Sequence, residues 1–175
     1  MNGIILYKSK YGATKKYADW LSEETGFRCV DTDKANQHDI AGCDTVILGG
    51  GIYASGIAGL AFLKKNIDQL SGKKLIVFCV GASPYNEAAF HEIVEHNMKD
   101  KLKNIPVFYC RGAWDIDSMS LMDKTLCKML RKSVAKKDPS ELEPWMTALI
   151  SAGDEKCDWT DKAYLKPILD TLRKE

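Results

Sequence analysis

The sequence lacks a strong excess of either charge. Its 175 residues include 25 Lys and Arg and 24 Asp and Glu, which give a formal net charge of +1 at pH 7. A nearly neutral chain has no general electrostatic attraction to nucleic acid or to an acidic surface. We therefore expect no nucleic-acid partner, and any charged partner has to be inferred from a local cluster of residues.

Long apolar segments are also missing. No run of about 18 consecutive apolar residues occurs, so the sequence predicts no membrane-spanning helix. The first residues have the pattern of a strand, without the charged and apolar regions of a secretory signal. These features predict a cytoplasmic protein that at most lies peripherally on the inner face of a membrane.

Patterns typical of metal sites and disulfides are absent. The three histidines and six cysteines show no ligand-like spacing, and no C-x-x-C pair occurs. Cys29, Cys79 and Cys110 lie in apolar segments, where a thiol behaves as a small hydrophobic side chain. We expect reduced, structural cysteines and no metal site.

Two common nucleotide-binding motifs are also absent or incomplete. The pattern G-x-x-x-x-G-K-[ST] of nucleotide hydrolases does not occur. Residues 49–54 satisfy G-x-G-x-x-A after a strand, but residues 53–56 are predicted to continue the loop, so no helix opens there. No clear strand ending in an acid follows about 20 residues later, where the ribose contact of a dinucleotide belongs.

The start of the chain combines a strand, a loop and a helix. A β-prone segment at 3–7 precedes a loop with Ser9, Gly12 and Thr14, and a helical pattern over 13–25 follows. The glycine allows close approach of the backbone, the hydroxyls donate, and the start of the helix presents unpaired N–H groups to an anion. The pattern indicates a phosphorylated cofactor, although a serine-rich turn that caps an ordinary helix explains the same residues equally well.

Strand-like and helical segments alternate along the chain. This order predicts a parallel sheet with helices on both faces, that is, a three-layer α/β sandwich. We expect one domain over residues 1–175, with a helical insert at 113–150, including an apolar turn at 146–150, and a C-terminal helix at 160–174. The predicted strands are 3–7, 28–31, 45–49, 75–80 and 106–109, and the predicted helices between them are 13–25, 58–69 and 86–103.

In such sheets, ligands bind beyond the carboxyl ends of the strands. The loops predicted there, at 9–14, 49–56, 81–85 and 109–117, are rich in glycine, hydroxyl groups or aromatic rings. Each loop alone is more typical of ordinary turns. Together they predict a site for a flat aromatic ligand whose phosphate lies in the first loop.

The first loop resembles the phosphate loop of the flavodoxin family; its sequence is Leu6-Tyr7-Lys8-Ser9-Lys10-Tyr11-Gly12-Ala13-Thr14. The resemblance extends over roughly residues 1–112 and implies the strand order 2-1-3-4-5 and FMN as the cofactor. Trp114 is a further cofactor candidate, which either covers the flavin or packs beneath the insert. The resemblance implies cofactor contacts from Ser9, Lys10, Tyr11, Gly12, Ala13 and Thr14 at the phosphate, from Ile52, Tyr53, Ala54 and Ser55 beside the ring, and from Gly81, Ala82, Ser83 and Tyr85 in a second ring-binding loop.

The last third resembles one branch of the family, the flavodoxin-like protoporphyrinogen oxidases of bacteria, which act in heme biosynthesis and pass electrons to quinone. A helix rich in Met, Leu and Lys follows strand five there, as it does here at 118–132. The resemblance implies an FMN oxidoreductase with a quinone or a redox partner protein, and it identifies no catalytic residue. Carriers of the family are typically acidic whereas this chain is neutral, but a soluble electron carrier and a non-flavin binding domain remain alternatives.

The helix of the insert has an apolar face and many bases. Residues 118–137 contain six basic residues and one acid, Asp123, which gives this segment a charge of +5. Such a helix can lie on an anionic membrane or receive a bulky porphyrin or quinone. Packing of the apolar face against the sheet edge is the more common arrangement, and we expect it here. The face consists of Met119, Met122, Leu126, Met129 and Val134.

Charged residues cluster at the end of the fifth predicted strand. Arg111 and Asp115 are candidate substrate residues, since a planar guanidinium binds a carboxylate well. A salt bridge between Arg111 and a neighbouring acid is the more common role for such an arginine.

Overall fold

The computed structural model describes residues 2–174. Strands and helices alternate through most of the chain, and short 3₁₀ segments occur at Asp100–Leu102, Ile116–Ser118, Pro139–Glu141 and Lys162–Leu165. The strands are β1 (Gly3–Lys8), β2 (Arg28–Asp31), β3 (Thr45–Tyr53), β4 (Gly56–Ile57), β5 (Lys74–Gly81), β6 (Val107–Arg111), β7 (Ala113–Trp114) and β8 (Cys157–Asp158). The helices are α1 (Ala13–Thr25), α2 (Gln37–Ala41), α3 (Leu60–Lys65), α4 (Glu87–Asn97), α5 (Leu121–Val134), α6 (Pro144–Ala152) and α7 (Lys166–Arg173).

Five parallel strands form the main sheet in the order β2-β1-β3-β5-β6, and the short β4 pairs antiparallel with the end of β3. Ile5 pairs with Cys29 on one side and with Ile47 on the other. With β4 set aside, this is the expected order 2-1-3-4-5, so the predicted α/β fold is confirmed. The strand order reverses beside β1, which places the loop after β1 where such sheets bind ligands.

Two apolar cores cover the two faces of the sheet, because successive side chains of a strand point to opposite faces. One core joins Ile4, Leu6, Val46, Leu48, Val77 and Cys79 to side chains of α3 and the end of α4, including Leu60, Leu63 and Met98. The other joins Ile5, Ile47, Ile76 and Phe78 to α1 and to the C-terminal segment, including Tyr17, Leu21, Leu165 and Ile168.

Tyr17 fixes the position of α1 at the ligand-binding edge of the sheet. Its ring is fully buried, its hydroxyl donates to the Arg111 carbonyl at 2.6 Å, and the hydroxyl accepts from the Asp161 amide at 3.0 Å. Burial raises the pKa of this phenol, so the hydroxyl stays protonated and donates. The contact holds α1 against both β6 and the C-terminal segment.

The glycine-rich segment after residue 48 differs from the expected loop. β3 continues through Tyr53 and folds back onto Gly56–Ile57 through Ala54 and Ser55, whose φ angles are 46° and 63°. The glycines are needed inside the strand: a Cβ on Gly50 would lie 2.1 Å from the Ala58 carbonyl oxygen. The prediction that residues 49–56 form a loop was therefore wrong for residues 49–53 and for Gly56, which belong to strands.

The insert also differs from the expectation. The apolar face of α5 does not pack on the sheet edge: Met122, Leu126 and Met129 are 73%, 56% and 64% exposed, and of the predicted face Val134 is the residue that is fully buried. Residues 146–150, expected as an apolar turn, belong to α6, which packs beside α5. Helix α2 and the small β7–β8 sheet were not predicted.

All six cysteines are free thiols in this structure. Burial raises the pKa of Cys79 to about 12, so this thiol is not a nucleophile at neutral pH. Over residues 2–174, no helix is long and apolar enough to cross a bilayer.

Candidate functional site

A cavity of about 380 Å³ opens at the carboxyl ends of β1, β3, β5 and β6. This volume lies within the usual range of small-molecule sites, about 300 to 1,000 Å³. Asp123 is the only charged residue among the described residues that line it. The lining residues are Ser9, Tyr11, Ala13, Thr14, Gly51, Ile52, Tyr53, Ala54, Val80, Gly81, Ala82, Gly112, Ala113, Trp114, Met119, Asp123, Leu126 and Cys127.

The loop after β1 is shaped as an anion site. Gly12 has a φ of 94°, which allows the turn into α1, and its amide donates to the Ser9 hydroxyl at 3.0 Å. Across residues 2–174, the amides of Tyr11, Ala13 and Thr14 have no protein acceptor. These N–H groups and the positive end of the helix dipole are the chemistry that binds a phosphate.

Tyr53, the last residue of β3, lines the cavity. Its hydroxyl accepts a hydrogen bond from the Lys10 amide at 3.1 Å, and the Lys10 ammonium lies 6.0 Å from the centre of its ring. A Cβ on Gly51 would lie 2.6 Å from the Tyr53 hydroxyl oxygen, so glycine at position 51 makes room for the folded-back ring. Burial raises the pKa of Tyr53, and the phenol stays neutral beside the loop.

Asp123 of α5 reaches into the same loop. Its carboxylate forms an ion pair with Lys10 and accepts a hydrogen bond from the Tyr11 hydroxyl. The bonds from Lys10 and Tyr11 lower the pKa of Asp123 to about 2, so it is ionised at neutral pH. Sequence reasoning missed this residue, although it is the one acid in a basic segment and that isolation was a usable signal.

A second cavity, of about 410 Å³, adjoins the first. The two share Ile52, Ala54, Gly81 and Ala82, so they form one groove across the ends of the strands. The far part of the groove lies between α4, α5 and α6, and its charged lining residues are Glu92 and Glu143. The aromatic side chains there are Phe90, Tyr109 and Trp145, and the Trp145 indole donates to Glu143 at 2.6 Å.

The structure brings most of the predicted cofactor residues together. Lys10 and Gly12 belong to the loop without lining the cavity, and Ser55 and Ser83 line the second cavity instead. Tyr85 lies apart: it is 54% exposed and packs on Phe90 and Tyr109, with ring centres 5.7 and 5.9 Å away. The predicted residues in the first cavity are Ser9, Tyr11, Ala13, Thr14, Ile52, Tyr53, Ala54, Gly81, Ala82 and Trp114.

Trp114 lines the cavity and is also held by the insert. Its indole nitrogen donates to the Gly153 carbonyl at 3.2 Å, after the end of α6. The ring therefore lines the cavity and is bonded to the insert, and its contact with the flavin stays a prediction.

The charged residues after β6 have structural partners. Arg111 donates from Nε to the Ala82 carbonyl at 3.2 Å, and its guanidinium carbon lies 4.3 Å from the centre of the Trp159 ring. No acid pairs with Arg111 within residues 2–174, so the salt bridge expected for it was wrong. Trp159 follows β8, a strand that the sequence did not reveal.

Asp115 caps the 3₁₀ turn that leads to α5. It accepts from the amides of Asp117 and Ser118 at 3.1 and 3.2 Å, and it pairs with Lys156 at 2.9 Å. The bond from Lys156 lowers the pKa of Asp115. Neither Asp115 nor Arg111 lines the two cavities, so their assignment to a substrate stays a prediction.

Several lining residues were not predicted as cofactor contacts, although Gly51, Gly112 and Ala113 lie in the predicted ligand-binding loops. Gly112 donates from its amide to the Gly81 carbonyl at 2.7 Å, and a Cβ there would lie 2.8 Å from Val80. Met119 and Leu126 were assigned to the face of α5, but not to the site. The other lining residues outside the predicted ligand-binding loops are Val80, Asp123 and Cys127.

The residues present fit the expected FMN. The free amides of Tyr11, Ala13 and Thr14, with the hydroxyls of Ser9 and Thr14, form a donor set suited to a phosphate. The first cavity continues from this loop and is large and apolar enough for a flat ring. Its walls there include Ile52, Tyr53, Gly81 and Trp114.

A match to a protein family agrees with this arrangement. The sequence model of one family, described as "Flavodoxin domain", matches residues 4–141. No curated protein matches the chain. Similar solved structures include a WrbA-like flavodoxin from Agrobacterium tumefaciens, with 16% identity, coverage of 70% of this chain and 87% of that chain, and a TM-score of 0.47. Reduced Megasphaera elsdenii flavodoxin has 20% identity, coverage of 61% and 82%, and a TM-score of 0.46.

A larger protein is also similar. It is the rubredoxin oxygen:oxidoreductase of Desulfovibrio gigas, with 17% identity, coverage of 63% of this chain and a TM-score of 0.45. The chain spans 30% of the length of that protein.

Proposed function

Because the chain belongs to the flavodoxin domain family, whose cofactor is FMN, we propose that it is an FMN oxidoreductase that exchanges electrons with a flat, apolar co-substrate. The observation that carries this proposal is the wall that α5 adds to the cavity. Leu126 lines the cavity and is 56% exposed, so the wall of the cavity is apolar where it meets solvent. A carrier that docks on basic proteins would present acidic residues there.

The residues of the loop after β1 would bind and orient the cofactor. The amides of Tyr11, Ala13 and Thr14 would donate to the phosphate, and Tyr53 would bound the ring. FMN, when bound, supplies reversible one- and two-electron transfer, and the chain has to position it and control access of water. Among residues 2–174, neither cavity is lined by both an acid and a base, in keeping with a reaction in which the protein mainly positions the reactants.

The charges of the groove bear on the co-substrate. Glu92 and Glu143 would repel a carboxylate-bearing molecule in the second cavity, whereas Phe90, Tyr109 and Trp145 would stack on an uncharged aromatic ring. This favours a quinone there. Oxidation of a protoporphyrinogen with quinone as acceptor is the more specific form of the proposal, and it rests on the resemblance of the insert helix. Because a protoporphyrinogen carries propionate groups, this form requires that it react from outside the second cavity.

The test begins with purified protein that is mixed with excess FMN, desalted and titrated anaerobically with a reductant. We expect retained flavin, bleaching in a single two-electron phase, and reoxidation by a water-soluble quinone. Protoporphyrinogen is then tried as the reductant. Two one-electron phases with no reaction toward quinone would favour a soluble carrier instead, and loss of all flavin on desalting would favour a non-flavin binding domain.

A pair of leucines on α5 gives a matched control. Leu130→Gln should raise the KM for quinone about tenfold without changing FMN affinity, because Leu130 lines the second cavity and not the first. Leu121→Gln should leave the KM unchanged, since Leu121 is 85% exposed and lines neither cavity. Equal effects of both substitutions would argue against quinone binding beside Leu130.

A further inference from the structure

The outer face of α5 is an apolar surface without a covering partner among residues 2–174. We define the outer face by its five exposed apolar side chains, of which Met122, Leu126, Met129 and Leu130 follow the spacing i, i+4, i+7 and i+8. A helix of a soluble protein normally buries a stripe with this spacing. The exposed fractions are 85% for Leu121, 73% for Met122, 56% for Leu126, 64% for Met129 and 45% for Leu130.

The orientation of α5 is fixed by contacts on its other side. Asp123 pairs with Lys10, Arg131 with Asp154 at 2.9 Å, and Val134 is buried. These contacts come from the loop after β1 and from the segment after α6, and they hold the helix with its apolar stripe outward. The exposed stripe is therefore a property of the folded insert.

The charges around the stripe are unbalanced. Lys124 pairs with Asp117 at 3.1 Å, and Arg131 pairs with Asp154. In the part of the chain that the structure describes, four other lysines of residues 118–137 have no acid within 4.0 Å. Their positive charges are therefore not neutralised by a salt bridge. These lysines are Lys128, Lys132, Lys136 and Lys137.

We propose that the outer face of α5 docks on the surface of an anionic lipid bilayer. A large apolar stripe flanked by unpaired lysines fits an interface in which side chains enter the acyl region while bases meet anionic headgroups. Unbranched methionines adapt to a fluid partner of this kind. A folded protein partner would need complementary pockets, whereas lipid needs only apolar area and negative charge.

Docking would also orient the groove. Leu126 belongs both to the outer face and to the lining of the first cavity, so the mouth of the cavity lies at the docked surface. An apolar co-substrate dissolved in lipid would then reach the site without crossing water. This last step rests on the proposed function, whereas the docking itself does not.

The experiment is co-sedimentation of the full chain with vesicles, carried out with and without added FMN. Vesicles of phosphatidylcholine alone are compared with vesicles that also contain phosphatidylserine, at low and high salt. We expect binding to the anionic vesicles at low salt, its loss at high salt, and the same behaviour without FMN. Binding that persists while no flavin is retained would leave the docking surface intact and refute the proposed flavin function alone.

Two pairs of substitutions locate the surface. Lys128→Gln with Lys132→Gln should weaken partitioning about tenfold or more, because each lysine near an anionic surface contributes attraction. Met122→Gln with Met129→Gln should weaken partitioning comparably, because it removes apolar side chains that would enter the acyl region. All four side chains are exposed and line neither cavity, so the fold should be retained.

The matched control is Lys99→Gln with Lys103→Gln, which removes the same charge from exposed positions outside α5 and should leave partitioning unchanged. Equal weakening by both lysine pairs, equal binding to uncharged vesicles, or no binding of the wild type at low salt would overturn the proposal. Sedimentation velocity provides one more outcome: a stable dimer that Met122→Gln with Met129→Gln dissociates would assign the face to a second copy of the chain instead.

Discussion

The carboxylate of Asp123 on α5 contacts both the Nζ of Lys10 and the hydroxyl of Tyr11. The three residues join the insert to the loop that has the donors for a phosphate. Since the carboxylate neutralises Lys10 and stands near the anion site, it should oppose a bound phosphate. The contact therefore holds α5 in place but weakens the binding of the cofactor phosphate.

Asp123→Asn should strengthen FMN binding. Asn keeps the size of the side chain and can still accept from Tyr11, but it removes a negative charge and frees Lys10 for the phosphate. We expect a Kd for FMN about fivefold lower, since one charge at this range changes binding by about 1 kcal/mol. Fluorescence titration of the apoprotein measures the change.

Riboflavin, which lacks the phosphate, is the control ligand for this substitution. Its Kd should be the same for the wild type and for Asp123→Asn. If both ligands instead bind more weakly to the variant, Asp123 serves to hold α5 over the cavity and its charge is of little consequence.

Stability should fall in acid through Asp123 and Asp158. Hydrogen bonds lower the pKa of both carboxyls from 3.8 to about 2, from Lys10 and Tyr11 for Asp123 and from Lys16 and Thr160 for Asp158. A carboxyl whose pKa is depressed by folding stabilises the protein above its unfolded value, and this contribution is lost as pH falls through the folded value. The free energy of unfolding should therefore drop between pH values of about 4 and about 2.

Urea unfolding of the apoprotein at about pH 5 and about pH 3 measures this dependence. Asp123→Asn should be less stable than the wild type at the higher pH and should lose less stability on acidification. An identical loss in the wild type and the variant would show that the ion pair of Asp123 does not contribute in solution.

The glycine run of β3 gives a stability prediction. In Gly50→Ala the new Cβ would lie 2.1 Å from the backbone oxygen of Ala58, which cannot move without opening the β3–β4 hairpin. We expect a loss of about 2 kcal/mol in the free energy of unfolding. Gly42→Ala is the matched control, because its φ is −89° and nothing lies within 4 Å of the added Cβ. Urea midpoints that shift equally for both would contradict the close contact.

The order of elements could be predicted because it depends on local patterns. Helix α1 was predicted at 13–25 and forms at Ala13–Thr25, since its apolar spacing and Gly26 are neighbours in sequence. The loop after β1 was found for the same reason. Each of these features involves residues within a few positions of one another.

What could not be predicted depends on contacts between distant residues. Gly50 was assigned to a loop because nothing nearby shows that the Ala58 backbone passes within 2.1 Å of a Cβ there. Asp123 meets Tyr11 across 112 positions of sequence, and Arg111 meets the ring of Trp159. The exposed stripe of α5 has the same spacing as a buried one, so periodicity alone predicted the wrong environment for it.

The two tyrosines predicted to stack on the flavin should behave differently. Tyr53 lines the cavity and bonds to the Lys10 amide, so Tyr53→Ala removes both a wall and an ordered contact, and we expect the Kd for FMN to rise about tenfold or more. Tyr85 is 54% exposed and packs against Phe90 outside the first cavity, so Tyr85→Ala should change the Kd less than about twofold. Fluorescence titration gives both constants, and the flavin potential, measured on the loaded variants, should shift for the first and not for the second. A large effect of Tyr85→Ala would mean that the 81–85 loop turns the Tyr85 ring onto the flavin when the cofactor binds. Unchanged binding in both variants would show that neither tyrosine stacks on the flavin.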